Sequence, residues 1–400
     1  MADELRRPRL VTLEPRPVQL EDGSRAVALR DPYGVLEDGA VVSPAAYGVL
    51  AHFDGERDLA DVARAVEAAG LGKVRLADVE RLAVRAREVG LVHGPVYAAR
   101  RTDALAAFRS SARPPACAGG AYPEQPDELR SMLAGFYADP DGPGPRDPAS
   151  RAGAGVRLLV APHIDFRRGG AAYAHAYRAL EGSEAELFVV FGTAHASPPH
   201  LFTLTRQDYD TPLGAVPTDR AVADALAAEL GEDELFEDEL VHAGEHSCEF
   251  QMVWLRWVMG DRPFRAVPVL CSSISQLDDP APATARFLGA LARAVAGRRV
   301  CYVAGADLAH VGPLYGDPRA PTAEELAALA ARDLRTLAFL GAADPAGFHR
   351  DAVADDAQRR LCGVAPIYAA VRAAGRGARL LHHAQWTDGT DMVSFAAAAG

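Results

Sequence analysis

From residue 156 onward the chain alternates between short runs that are almost wholly apolar and longer stretches in which apolar residues recur every three to four positions. The apolar runs are 156–160, 187–191, 266–270, 300–304 and 378–382, and the helical periodicity falls over 220–230, 248–259, 283–295 and 322–339. Strands that are apolar at nearly every position are buried on both faces. The alternation therefore predicts an α/β sheet with helices on both sides. Residues 126–137 add a helix with Leu129, Met132, Leu133 and Phe136 at helical spacing, and residues 139–154, rich in Pro, Gly and Asp, predict a surface loop.

The first hundred residues follow a different rhythm. Two short β-prone runs, 26–29 and 40–42, precede Ser43-Pro44, a good cap and first-turn pair for a helix bearing Tyr47, Leu50 and Phe53. Asp58 caps a second helix with Leu59, Val62, Ala63 and Val66 on one face. Val79, Leu82, Ala83 and Ala86 mark a third, which ends at Gly90, and Leu91-Val92 begins a further strand. Residues 1–98 thus read as a small winged-helix-like α+β domain, 99–111 as a connector and 112–400 as the main α/β domain. The run Ser43 to Val92, with its Asp54-Gly55 turn, resembles the PqqD-like peptide-recognition domains, and the resemblance implies a peptide bound at this domain. A DNA-binding use of the third helix is disfavoured, because Arg81, Arg85 and Arg87 are balanced by Asp78, Glu80 and Glu88.

Composition narrows the class. Four hundred residues with 49% hydrophobic and 24% charged content describe an ordinary globular chain, and a net charge of −12 argues against nucleic acid as a partner. Five scattered cysteines without a Cys-x-x-Cys pair disfavour a disulfide framework and a zinc ribbon. No stretch approaches the ~18–20 apolar residues of a membrane span, and no apolar signal core opens the chain. A cytoplasmic protein is the expectation.

Chemistry is concentrated where predicted strands end, which is where open α/β sheets place their sites. Val160-Ala-Pro-His163-Ile-Asp165-Phe-Arg167-Arg168, Gly192-Thr-Ala-His195 and Gly305-Ala-Asp307-Leu-Ala-His310 each follow a strand. Three imidazoles on one rim would suit zinc, copper, iron or nickel. Asp165 and Asp307 are candidate bases or supporting partners, although Asp after a strand is most often a turn or cap residue. Arg167 and Arg168 could attract an anionic substrate. A further cluster, His242-Ala-Gly-Glu245-His246-Ser-Cys248-Glu249, has the His-x-x-Glu-His order of inverted zinc proteases. That pattern needs both histidines on one helix face, whereas here the helix is expected to begin near His246 with His242 outside it. His246, Glu245 and Glu249 are expected at a helix start facing the same rim, with His246 a candidate acid or base. Cys248 reads as a buried thiol rather than a nucleophile, and Asp210 and Thr211 as a turn or the edge of the cleft. Neither a Walker loop, a Gly-x-Gly-x-x-Gly nor a Gly-x-Ser-x-Gly is present.

The order of these clusters resembles the Memo-like family, known in bacteria and archaea as AmmeMemoRadiSam system protein B. Arg113 to Pro123, Ala161-Pro-His163, Gly192 to His195, Thr211-Pro-Leu-Gly214, Glu245 to Glu249, Ala306 to His310, Leu361-Cys-Gly363 with Pro366-Ile367, and Asp391-Met-Val-Ser394 carry the resemblance over residues 112–400. It implies a fold like that of class III extradiol dioxygenases, a pocket for iron or copper with zinc not excluded, and metal histidines at His163 and His195. His310 is the expected third ligand, with His246, Asp307 and Asp165 as catalytic candidates. By association it implies a radical-SAM enzyme and an AMME-domain protein as partners, and either an accessory or redox role or a dioxygenase activity. Two positions depart from the pattern: Ile164 to Arg168 replaces a glycine- and tyrosine-containing run, and Ala309 stands where some relatives carry cysteine or serine. If the third ligand is lost there, metal binding must recruit Asp165, Asp307, His246 or His310, or weaken.

Overall fold

The structure is a computed structural model that describes residues 5–36, 39–147 and 149–400. The chain forms two compact units, residues 1–110 and 111–400. In the first, β1 (Glu14–Gln19), β2 (Arg25–Arg30) and β3 (Ala40–Val42) make an antiparallel sheet in that order. The pattern of apolar residues missed β1, which carries Pro15 and Pro17. Prolines cannot donate to a ladder, and this strand lies at the sheet edge where that is tolerated. Helices follow at Pro44–Leu50, Leu59–Ala68, Leu76–Val89 and Pro95–Arg109. Ser43 and Asp58 cap the first two as expected, accepting from the amides of Ala46 and Asp61. Gly90 ends the third in the left-handed region at φ 82°, a conformation that favours glycine. Leu91-Val92 does not form the expected strand; Val92 makes a single bridge to Leu10. The connector begins inside the fourth helix.

The second unit holds a mixed eight-stranded sheet. Its strands are β4 (Leu158–Ala161), β5 (Leu187–Thr193), β6 (Phe202–Leu204), β7 (Arg265–Cys271), β8 (Val300–Gly305), β9 (Asp307–Val311), β10 (Arg379–Thr387) and β11 (Met392–Ala399). The order is β10-β11-β4-β8-β5-β7-β6, with β9 paired to β11. β4, β8, β5 and β7 are parallel, and β6, β10 and β11 run antiparallel to their neighbours. The parallel strands are buried almost throughout, as their apolar runs require. Helices Phe166–Arg178 and His246–Met259 pack together on the sheet, as do Ala281–Ala294 and Val364–Ala374. Trp254 locks the first pair, with the rings of Tyr173 and Tyr177 stacked on it at 5.4 and 5.5 Å. No helix among the described residues is long and apolar enough to cross a membrane.

One exchange of positions builds the site. β4 pairs with the end of β11 through Val160 and Leu159, then leaves the sheet at Pro162. β8 ends beside it at Gly305, the amide of Ala306 donates to the carbonyl of Ala161, and the chain continues as β9 along the stretch of β11 that β4 has vacated. Residues 307–310, expected only to follow a strand, are therefore themselves part of one. The shift carries Asp307 beneath the segment that bears His163.

Candidate metal centre

Two glycines make room for the third element of the site. Gly192 of β5 and Gly305 of β8 stand side by side in the parallel register. The start of helix His246–Met259 lies against both: a Cβ on Gly192 would come within 2.5 Å of Ser247 Oγ, and one on Gly305 within 2.6 Å of the Ser247 carbonyl. Ser247 Oγ donates to the Thr193 carbonyl, and Gln251 Nε2 donates to the carbonyl of Pro162. This contact sets the start of the helix that carries His246 against the ends of β5 and β8, with Gln251 tied to Pro162 just beyond the end of β4. Gly305→Ala should therefore cost about 1–3 kcal/mol through overpacking and lower metal affinity. Urea unfolding alongside a metal titration checks both effects, and unchanged values would show that the close approach is not required.

His163, His195 and His246 converge, with their donor atoms within 4.8 Å of one another. The rings lie 5.1 Å (His163–His195), 5.4 Å (His163–His246) and 4.8 Å (His195–His246) apart. Each of the first two is oriented through Nδ1. His163 Nδ1 donates to the Gly305 carbonyl at 2.9 Å, and its backbone amide donates to Asp307 Oδ1 at 2.9 Å. His195 Nδ1 lies 3.0 Å from both oxygens of Glu245, which also accepts the His195 amide and caps the helix through the Ser247 amide. Nε2 of each ring is left for a ligand, the carboxylate- and carbonyl-backed arrangement usual for metal histidines. His246 Nδ1 lies 3.3 Å from Glu245.

A thiol lies beside them. Cys362, in the turn before helix Val364–Ala374, places Sγ 3.2 Å from His163 Nε2. Burial alone would raise this thiol, but His163, His310 and His195 outweigh it and hold Cys362 at about 5. Burial opposes charge on His163 too, yet Cys362 and Asp307 bring it up to about 9. His195 is raised by Glu245 against its own burial, and Glu245, despite burial, is held well below the usual carboxylate range by His195. Burial pushes His246 down to about 3, so it is neutral and ready to bind. In the metal-free protein the Cys362 thiolate is thus formed throughout the neutral range. Alkylation should be nearly independent of pH between about 6 and 8, where an ordinary thiol of pKa ~8.5 accelerates with every unit. A rate that climbs steeply toward pH 8 would refute the thiolate.

The remaining expected residues divide. His310 lies in the same pocket wall, on β9, with Nδ1 donating to the Leu308 carbonyl and Nε2 left free; it is not among the three converging rings. Asp307 lies under His163, its Oδ2 3.7 Å from Nε2. Asp165 lines the pocket, but its carboxylate caps helix Phe166–Arg178 through the amides of Arg167 and Arg168. Glu249 does not face the rim as expected. It is fully buried, forms a 2.5 Å ion pair with Arg113, and accepts the amides of Ala116 and Cys117 and the hydroxyl of Tyr122. Arg113 in turn donates to the carbonyls of His242 and Glu245, at 2.6 and 3.0 Å. Arg113 thus clamps the loop that delivers Glu245 and His246, a role the sequence pattern did not reveal.

His242 lies on a separate short helix and is bonded at both nitrogens, to Tyr209 and the Thr203 carbonyl, so no His-x-x-Glu-His zinc site forms. Thr211 closes its own turn on Gly214. Burial pushes the Cys248 thiol well up, as a core thiol requires. Ala309 is fully buried and its amide donates to Ser394; the cysteine beside the three histidines is Cys362. Its signal in the sequence was Leu361-Cys-Gly363, where Gly363 allows the turn to press against the Asp307 carbonyl, 2.3 Å from where a Cβ would stand.

Three converging imidazoles could hold a transition ion, and a cysteine beside them adds a soft donor within reach. The comparisons agree with the order of motifs. The profile of the Memo-like protein family matches residues 113–399. A MEMO1 family protein of Methanopyrus kandleri is 34% identical over 207 residues, covering 50% of this chain and 70% of that one. Another, from Ignicoccus hospitalis, is 30% identical over 264 residues, covering 64% and 84%. A third, from Methanothermobacter thermautotrophicus, is 27% identical over 261 residues, covering 65% and 86%. With the matched profile spanning every strand of the second unit and all three converging histidines, the chain belongs to the Memo-like protein family.

Proposed function

We propose that the pocket holds one redox-active ion, iron or copper in preference to zinc, and that the protein is a metal-dependent oxidoreductase. The observation that carries this reading is the convergence of His163, His195 and His246, with Cys362 Sγ 3.2 Å from His163, beside an open pocket of about 490 Å³, a volume that suits a small substrate. When bound, the ion supplies electron-transfer and oxygen chemistry. The chain's own residues orient and move protons. Glu245 and the Gly305 carbonyl fix the two ligand rings. His310, with Nε2 free, is the proton acceptor or donor for a group in the pocket, and Asp307 supports His163. The reading includes a relationship to class III extradiol dioxygenases, supported by histidines at the carboxyl ends of parallel strands in a mixed α/β sheet.

Elemental analysis of untagged protein purified without oxygen tests it. Near-stoichiometric iron or copper, followed by oxygen uptake with a substrate panel, is the expected result. No metal, even after loading with Fe(II) or Cu(I), would overturn it.

A second reading rests on the N-terminal unit. β3 is an edge strand of its sheet, and Val41 on it is 60% exposed, a surface to which a peptide strand can add. In this reading the unit is PqqD-like, and the protein serves a radical-SAM enzyme and an AMME-domain protein in an AmmeMemoRadiSam-type system. Capture of the radical-SAM partner or its peptide should fall when residues 1–98 are deleted; undiminished capture would count against it.

A further inference from the structure

Arg168 stands in the wall of the metal pocket with its hydrogen-bonding capacity unspent. Its neighbours are committed. Arg167 donates to the Gly120 carbonyl at 2.6 Å, and Arg360 is paired with Asp317 and donates to the His310 carbonyl. Among the described residues, the two terminal nitrogens of the Arg168 guanidinium, which carry four of its five N–H groups, have no hydrogen-bond partner. It is nonetheless held. Nε lies 2.8 Å from Asp165 Oδ2, and the guanidinium carbon sits 4.1 Å above the ring of Trp386. Asp165 Oδ2 thus occupies the Nε side of the guanidinium, while Oδ1 receives the backbone amides of Arg167 and Arg168, and the two terminal nitrogens are left for a ligand. A planar donor fork, restrained on two sides and 44% exposed at its side chain, therefore faces the pocket.

The rest of the wall supplies what an organic anion requires beyond its charge. Ile164, Phe250, Tyr315 and Val393 line the same space as the histidines. We infer that Arg168 anchors the anionic head of the substrate, a small carboxylate or phosphate with an apolar or aromatic body that lies along these four residues. A guanidinium fork matches both oxyanions in two-point geometry, so the shared chemistry is a planar pair of acceptor oxygens. The anchor deepens the oxidoreductase reading and rests on it for one clause only, that the body of the anchored molecule extends toward the ion.

Three probes share a phenyl body and differ in the head: benzoate, phenyl phosphate and neutral benzamide. Their binding to the full-length protein is followed by calorimetry and by the fluorescence of Trp386, with and without bound metal. At least one anion should bind roughly tenfold or more tightly than benzamide, the scale of a charge-assisted hydrogen bond, and the stronger of the two identifies the head. Arg168→Met should remove the preference while metal content stays at the wild-type level, and Arg168→Lys should restore part of it. Equal binding of all three probes, no binding of any in the millimolar range, or a preference that survives Arg168→Met would overturn the assignment. Anion preference without metal uptake would sink the metal reading alone, and metal uptake without anion preference would sink the anchor alone.

Discussion

Replacing His163 and His195 together with alanine should abolish stoichiometric metal binding, whereas Glu245→Gln should weaken it about 10–100-fold without abolishing it. The two histidines present Nε2 to the shared site, so their loss takes away two of the three converging imidazoles. Glu245 binds no ion in this arrangement; it holds His195 Nδ1 at 3.0 Å and caps the helix that carries His246. The amide in Glu245→Gln keeps one acceptor but loses the charge that favours a basic, correctly oriented ring. Competition with a chelator of known affinity separates the two classes. Retention of metal by the double variant would remove the site. Affinity should also rise with pH through neutrality, because His163 keeps its proton up to about 9 without metal and must release it to bind.

Arg113→Ala should lower stability by about 3–5 kcal/mol, the usual consequence of leaving a buried charge without its partner. Glu249 would remain fully buried, with only the amides of Ala116 and Cys117 and the Tyr122 hydroxyl as company. The carbonyls of His242 and Glu245 would lose their donors at the same time. Urea unfolding gives the measurement, and a loss below about 1 kcal/mol, the range of exposed pairs, would show that the clamp is relieved by water. Arg113→Met combined with Glu249→Leu should recover much of the stability, since a well-packed apolar pair often equals a buried ion pair. The metal affinity of that double variant should stay low, because the Glu245 carbonyl still lacks its anchor. That difference separates the role of Arg113 in holding the fold from its role in placing the site.

Local physics in the sequence determined much of this protein. Apolar runs specify the parallel strands because both faces of those strands are covered, and Ser43, Asp58, Asp165 and Glu245 begin helices because their side chains satisfy free amides at the first turn. Two histidines directly after such strands were legible as neighbours on a rim, and helix Arg220–Leu230 was readable to its ends. The sequence did not reveal β1, which lacks an apolar signal, or β9, which exists only because β4 leaves an edge of β11 unpaired.

The membership of the candidate site was decided by the tertiary structure. His163 and His195 follow strands separated in the sheet by β8. The β8–β9 step places His310 in the wall rather than among the converging rings. His246 enters because Gly192 and Gly305 let a helix start press onto the strand ends. Cys362 arrives from 199 residues beyond His163. Such convergence depends on strand order and on the contact of one turn with another, which are non-local properties that no window of sequence contains.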